Sequence, residues 1–482
     1  MYFTSFSFIV FIIVSCLIYH IFPSKYRYLV IAMASSVFYY SLSGWMIIIL
    51  LAVTLITYLG GLFCEKKHAT KITVVLLCGI LLFFKYLNIL QIISQEIVEK
   101  YGRSIPERLL LLTMPLGLSF FVFESVAYVA DCKKRMVIPE KNILFVYTYL
   151  SFFATVSSGP IERAGNLIPQ LKHPQKINYD SMRKALLLIL WGFMLKLVLA
   201  NRLDIFVNTV YENPELFSGT LVRLATIFYT LEIYSDFAGY SCIALGVGEL
   251  FGISICENFN TPYLAKSIPE FWRRWHISLS RWLKDYIYIP LGGSRKGHTK
   301  KLINIMIVFL ISGIWHGASF TFIFWGLLHG LYQVISDLIA PIKKKVAMKA
   351  IENKNGRLFS ALEVVCTFFL VNLAWIFFRA DSFQKAFTII KECTHVSPWA
   401  IFDGSLFGAG LARPDMIVVM IMIAVLAFTD HMNYKKISIR DRILQLPLII
   451  RWMIYIAAIV FVFICGVWGK GYDAANFIYT GF

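Results

Sequence analysis

The chain has 482 residues, 58% of them hydrophobic and only 15% charged, with a mean hydropathy of +0.69. That balance excludes a soluble globular enzyme and a disordered chain, both of which need far more polar surface. Lysine and arginine exceed aspartate and glutamate by 46 − 28 = 18. The basic residues cluster in short loops between apolar runs (Lys66, Lys67, Lys133, Arg135, Lys343, Lys345, Lys435, Lys436), so the excess points to cytosolic loops and anionic lipid headgroups and not to nucleic acid.

In chain order, apolar runs cover residues 6–22, 45–63, 72–84, 109–130, 143–158, 182–200, 221–255, 302–336, 358–378, 416–429 and 452–468. About 20 apolar residues make one crossing, and the two runs near 35 residues are long enough to cross twice or re-enter. The expected fold is an all-α polytopic membrane protein with about 10–13 membrane-embedded helices. The polar stretches leave no room for a soluble domain, so residues 1–482 read as one membrane domain. The first run lacks a basic leader and a small-residue cleavage site and reads as a retained span. Nine cysteines are scattered through apolar segments with no Cys-x-x-Cys pair, which argues against a disulfide framework and a zinc site. Gly246-Val-Gly248 with Gly252 lacks dinucleotide-binding spacing, and a Walker A motif is absent from the sequence.

Within run 221–255, Glu232 and Asp236 stand one helical turn apart on one face. Two carboxylates in an apolar span are costly unless paired or hydrated. They orient a histidine, bind a cation, or pair with an embedded base such as Lys196 or Arg379.

Residues 264–301 change character, with nine Lys or Arg against two acids. Phe271, Trp275, Leu279, Trp282, Leu283 and Tyr286 recur at steps of three and four, and Arg274, Ser278, Arg281 and Asp285 fall on another face. The spacing predicts an amphipathic helix lying in the membrane interface. Its cationic face either rests on lipid phosphates or grips a phosphate-rich donor such as coenzyme A.

Run 302–336 carries His316 and His329, each inside a Gly-x-x-x-Gly. Such glycines let helices approach closely, and a histidine between them is either packing or chemistry. A continuous helix over this run would be about 50 Å long against a hydrocarbon core of about 30 Å, so the run must break, tilt or turn back, with the glycines around His316 as one place for a break. A histidine at a wet break is suited to acid–base chemistry.

Taken together, these residues resemble the membrane-bound O-acyltransferase family, in its bacterial branch of alginate O-acetylases and peptidoglycan O-acetyltransferases. The marks run nearly end to end: Phe84-Lys85-Tyr86-Leu87-Asn88, Pro115-Leu116-Gly117, Ser158-Gly159-Pro160-Ile161-Glu162-Arg163, Tyr234-Ser235-Asp236-Phe237, Glu257-Asn258-Phe259-Asn260-Thr261-Pro262-Tyr263, Phe271-Trp272-Arg273-Arg274-Trp275-His276-Ile277-Ser278, and Trp315-His316-Gly317. The resemblance implies a central funnel through the helices, with re-entrant and interfacial segments, in a bacterial inner-membrane enzyme. Acetyl-CoA would enter from the cytosol and serve as acyl donor, and no cofactor would be bound permanently. His316 matches the family's catalytic histidine and His276 its second motif histidine. Trp272, Arg273, Arg274, Trp275, Arg281 and Lys284 are the donor-binding candidates, with Glu232, Asp236, Asn260 and His329 as further site candidates. The implied partner is an extracytoplasmic SGNH esterase-like protein that acetylates a polysaccharide. The D-alanyl branch that modifies teichoic acids shares the fold, but Tyr288-Ile289-Pro290-Leu291-Gly292-Gly293 and the spans after Arg379 resemble the acetylase branch. A transporter or scramblase using the buried acids and histidines as a proton relay is the rival from another class.

The end of the chain, residues 469–482, carries Phe477-Ile478-Tyr479-Thr480-Gly481-Phe482. It resembles the C-terminal motif of the small companion peptide of the D-alanyl branch, which implies that Tyr479 is a covalent acyl relay. The other reading is an aromatic end resting on the membrane interface.

Overall fold

The computed structural model describes residues 1–87, 114–317, 319–353 and 355–468. Among these the secondary structure is entirely helical. Seven helical stretches among the described residues are long and apolar enough to cross a membrane: Ser24–Leu62, Tyr179–Glu212, His298–His316, Phe320–Ala350, Gly356–Arg379, Arg413–Tyr434 and Leu448–Cys465. Phe6–Ile21 is a shorter apolar helix. The protein is a polytopic membrane protein, as expected. Asn88, residues 109–113 and the tail with Tyr479 lie outside the described residues.

The chain forms two compact units. The first comprises Met1–Met182 and Val247–Cys256. It holds α1 (Phe6–Ile21), α2 (Arg27–Ser43), α3 (Ile47–Leu62), α4 (Ala69–Lys85), α5 (Leu118–Lys133), α6 (Ile143–Ser151) and α7 (Ala164–Lys172). Helix α2 was not among the apolar runs, because serine, alanine and tyrosine dilute its hydropathy. Its neighbours α3 and α4 pack on α5, whose residues are almost all buried. The Ser158–Arg163 motif proves to be a buried tie. The Glu162 N–H donates to Glu124 Oε1 at 3.0 Å, and the Glu162 carboxylate accepts the N–H groups of Arg163 and Cys256 and the side-chain amide of Asn166.

The second unit comprises Arg183–Gly246 and the chain from Glu257 onward. Helix α8 (Tyr179–Phe193) runs through a π-turn at Met194–Ala200 into α9 (Asn201–Glu212). Then come α10 (Gly219–Leu250), α11 (Ile268–Arg274), α12 (Ile277–Leu283), α13 (His298–His316), α14 (Phe320–Glu352), α15 (Gly356–Arg379), α16 (Phe383–Glu392), α17 (Arg413–Tyr434), α18 (Ile439–Gln445) and α19 (Leu448–Cys465). The run at 221–255 does not cross twice: α10 is one helix of 32 residues. One of its acids, Asp236, is tied into the protein. Lys196, which lies in the π-turn, pairs with Asp236 of α10 at 2.5 Å, and both side chains are almost fully buried. Arg202 in turn pairs with Asp415 at 3.2 Å and donates to the Cys465 carbonyl, which anchors α17 and α19 beside α9.

The run at 302–336 breaks where the glycines allowed it. Helix α13 ends at His316 and α14 begins at Phe320, and the two form a tight hairpin. Glycine is required at the contact. A Cβ on Gly313 would stand 2.5 Å from the Phe322 carbonyl oxygen, and one on Gly326 would stand 2.4 Å from that of Phe309. Gly326→Ala is therefore expected to push the helices apart and cost about 1–3 kcal/mol, as overpacking does. Thermal unfolding in detergent measures this: Gly326→Ala should lower Tm, whereas Gly79→Ala, with no atom within 4 Å of the new Cβ, should leave it unchanged or slightly raised.

Candidate active site

The basic segment is not the single interfacial helix that its spacing suggested. It is two short helices, α11 and α12, separated at Trp275 and His276. Ser267 caps α11 by accepting the Glu270 N–H at 3.3 Å, with Pro269 in the first turn. The helix then stops because Trp275 is extended and His276 takes a left-handed conformation (φ 41°, ψ 55°), which costs a non-glycine residue roughly 1–2 kcal/mol. The aromatic side that was to anchor in lipid is buried inside the protein: Phe271, Trp275 and Leu279 are each 1% exposed.

The loop before α11 holds this break in place. Asn258, fully buried, accepts the Ile277 N–H at 2.9 Å through its carbonyl and the Ser278 hydroxyl at 2.6 Å through Oδ1. Its side-chain amide donates to Ser241 Oγ at 3.2 Å, so α10 is joined to the kink. Asn260 is exposed, and its backbone does the work. Its N–H donates to the Arg274 carbonyl at 2.9 Å, and its own carbonyl accepts from the Arg274 guanidinium at 3.1 Å. Arg274 also donates to Thr261 Oγ1, pairs with Glu270 at 2.8 Å and lies over the Tyr434 ring.

Three histidines of the segment 264–336, His276, His316 and His329, are joined by two indoles. His276 is 1% exposed, meets Phe237 edge-on at 4.8 Å and lies 6.4 Å from the Trp315 ring. Trp315 touches His316 at 4.7 Å. His316, the last residue of α13, is 1% exposed and stands edge-on to Trp325 at 5.0 Å and to Phe378 at 5.1 Å. Gly317 is needed beside it, since a Cβ there would meet the Phe322 ring at 2.5 Å. Trp325 also meets His329, whose ring lies 5.0 Å away. The Trp272 indole N–H donates to His329 Nδ1 at 3.3 Å, which places the proton of a neutral ring on Nε2. His329 is fully buried among Phe271, Trp272, Trp325, Tyr332 and Trp375.

The six donor-binding candidates divide. Trp272, Trp275 and Arg274 are engaged in packing, a histidine bond and the loop splint, whereas Arg273, Arg281 and Lys284 are exposed cations. The buried acids also divide. Asp236 is committed to Lys196, and Glu232, 2% exposed, has Asp204, Arg379, Asp236 and Lys196 as charged neighbours. Arg379 reaches Asn208, which donates to Asp204 at 2.9 Å. This arrangement can hold a neutral imidazole at a helix break within a dry aromatic wall, next to an exposed cationic strip in the sequence.

The sequence reading missed Asn258 as a positioning group and Trp325, Trp375 and Phe378 as walls. Trp325 lies one helical turn before His329, so helical spacing could have found it. Trp375 and Phe378 come from a distant apolar helix and carry no local signal.

Comparison with known proteins gives the family. Residues 62–356, which include Asn258 and all three histidines, match the family model of membrane-bound O-acyltransferases. A probable alginate O-acetylase of Pseudomonas aeruginosa is 32% identical over 85% of this chain and 78% of its own length. A peptidoglycan O-acetyltransferase of Helicobacter pylori is 34% identical over 58% of this chain and 56% of its own length. A teichoic acid D-alanyltransferase of Bacillus subtilis is 27% identical over 56% of this chain and 69% of its own length. The chain belongs to the membrane-bound O-acyltransferase family and is a multi-pass membrane acyltransferase.

Proposed function

We propose that this enzyme takes an acetyl group from cytosolic acetyl-CoA and passes it across the bacterial inner membrane for O-acetylation of an extracytoplasmic polysaccharide, an alginate-like exopolysaccharide or peptidoglycan. The similarity to O-acetylases supports the acetyl group, because the alginate O-acetylase match covers 85% of the chain and the D-alanyltransferase match 56%. The observation that carries the site is His316, placed at the broken end of α13 with aromatic rings around it.

In this reading His316 is the general base. Its neutral imidazole takes the proton of the attacking hydroxyl while that oxygen bonds to the thioester carbonyl carbon. The carbon–sulfur bond then breaks, and the imidazolium returns the proton to the leaving thiolate. His276 positions the other wall of the site through Trp315, and His329 fixes Trp272 and Trp325. Arg273, Arg281 and Lys284 hold the phosphates of the donor at the cytosolic face. Tyr479 serves as the first acceptor, since a phenolate (pKa about 10) leaves an acetyl ester more readily than an alkoxide does. An SGNH esterase-like partner outside the membrane passes the group to the glycan.

Three outcomes follow. His316→Ala should lower acetyl transfer by roughly 10²–10⁴ while the protein accumulates normally, and near wild-type transfer would remove His316 from the chemistry. Replacing Arg273, Arg281 and Lys284 with Gln should raise the KM for acetyl-CoA by roughly tenfold and leave the acceptor KM in place. An unchanged donor KM would move the donor elsewhere. Tyr479→Phe keeps the ring and removes only the hydroxyl, so full transfer by that variant excludes the relay.

A further inference from the structure

The segment between α16 and α17 is not used by the proposed chemistry. Residues 380–412 carry two lysines against three acids, whereas residues 435–451, at the other end of α17, carry five Lys or Arg against one acid. By the positive-inside rule 380–412 is extracytoplasmic, on the side opposite the Lys435 and Lys436 loop. There it lines an open cleft of about 630 Å³ with the turn that precedes α10. Ligand pockets for small molecules and short oligomers are of this size.

The cleft is built and not merely left over. The first turn of α10 presses on the end of α16: a Cβ on Gly219 would stand 1.9 Å from the His395 carbonyl oxygen. Arg223 Nε donates to the Cys393 carbonyl, and the Ser397 N–H donates to Thr220 Oγ1 at 3.1 Å. On this fixed floor stands Trp399, 77% exposed, with Phe402 edge-on at 6.4 Å and equally exposed. Ser218, Ser397 and Ser405 line the cleft with Asp403, and no lysine or arginine does. Ser218 Oγ is buried with no hydrogen-bond partner among the described residues. Asp403 sits in an ordered turn in which Ser405 approaches Oδ1 with its N–H at 2.9 Å and its hydroxyl at 2.5 Å. These bonds from Ser405 hold the exposed Asp403 carboxyl below the usual carboxylate range, so it is charged at neutral pH.

From this we infer that the cleft is a carbohydrate subsite for a neutral, hydroxyl-rich segment of glycan. A flat indole face accepts the C–H face of a pyranose, and an ionised carboxylate and serine hydroxyls match its ring hydroxyls. A uronate would meet Asp403 with no base to offset it. A lipid anchor accounts for the exposed rings, but it makes no use of the charged carboxylate and the serines that line the cleft beside them. The inference rests on the topology and the glycan acceptor proposed above, and of the two acceptors named there it favours one with uncharged sugars at this position over an all-uronate, alginate-like chain.

The test uses the full chain in lipid nanodiscs with no acyl donor, titrated with cellotetraose and with a mannuronate tetramer and read by tryptophan fluorescence and saturation-transfer NMR. Cellotetraose should bind, at least tenfold more tightly than the uronate. Trp399→Ala should weaken it about tenfold with Tm unchanged, Trp399→Tyr should restore most of it, and Asp403→Asn should narrow the gap between the two sugars. His316→Ala should bind as the wild type does, which separates this site from the chemistry. Binding indifferent to Trp399→Ala, tighter binding of the uronate, or Trp399 emission quenched by brominated lipid and unmoved by cellotetraose would each overturn the assignment.

Discussion

The backbone-to-backbone contact at Gly313 and Gly326 governs the geometry of the candidate site. Lipid offers little hydrophobic gain for bringing two helices together, so close approach depends on small residues and van der Waals contact. Here a Cβ on either glycine would strike a carbonyl oxygen of the facing helix at 2.4–2.5 Å. The hairpin that results ends α13 at His316 and sets Trp325 of α14 between His316 and His329. Two indoles, Trp315 and Trp325, then fix the relative placement of His276, His316 and His329.

A second constraint is the cost of irregular backbone and charge in an apolar setting. The kink at His276 interrupts a helix where water is scarce, and Asn258 accepts the freed Ile277 N–H through its carbonyl and the Ser278 hydroxyl through its side chain. The π-turn at Met194–Ala200 similarly accompanies the delivery of Lys196 to Asp236. Breaking such a pair by removing one partner costs about 3–5 kcal/mol, because the remaining charge stays buried. Both devices put the penalty of irregularity close to the residues proposed for chemistry, which is where local strain is usually tolerated.

The sequence made the membrane class legible from length and hydropathy, and it held the break in 302–336 and the pairing of Asp236 with Lys196 among its alternatives. It misled over residues 264–301. The three- and four-residue spacing of Phe271, Trp275, Leu279 and Trp282 is real, yet a left-handed residue at His276 divides the helix, and no local rule marks a histidine as left-handed. The spacing also gave no sign that Trp272 and Arg274 hold His329 and the loop at Asn260 and Thr261, because those partners come from elsewhere in the chain. Helix α2 went unread for a different reason: hydropathy measures lipid exposure, and α2 buries serine and alanine against protein. The walls given by Trp375 and Phe378 are tertiary, and spacing within one segment does not reveal them.

The account centres on an acyl group that leaves a thioester donor under the control of His316. The most direct measurement reconstitutes the full-length protein in proteoliposomes with labelled acetyl-CoA and follows the label on the protein and on a glycan acceptor over a single turnover. Label should appear on the acceptor, or first on Tyr479, in the wild type, and its transfer should be slowed by roughly 10²–10⁴ in His316→Ala. Label that never leaves acetyl-CoA in the wild type, or that is transferred only when D-alanine replaces acetate, would contradict it.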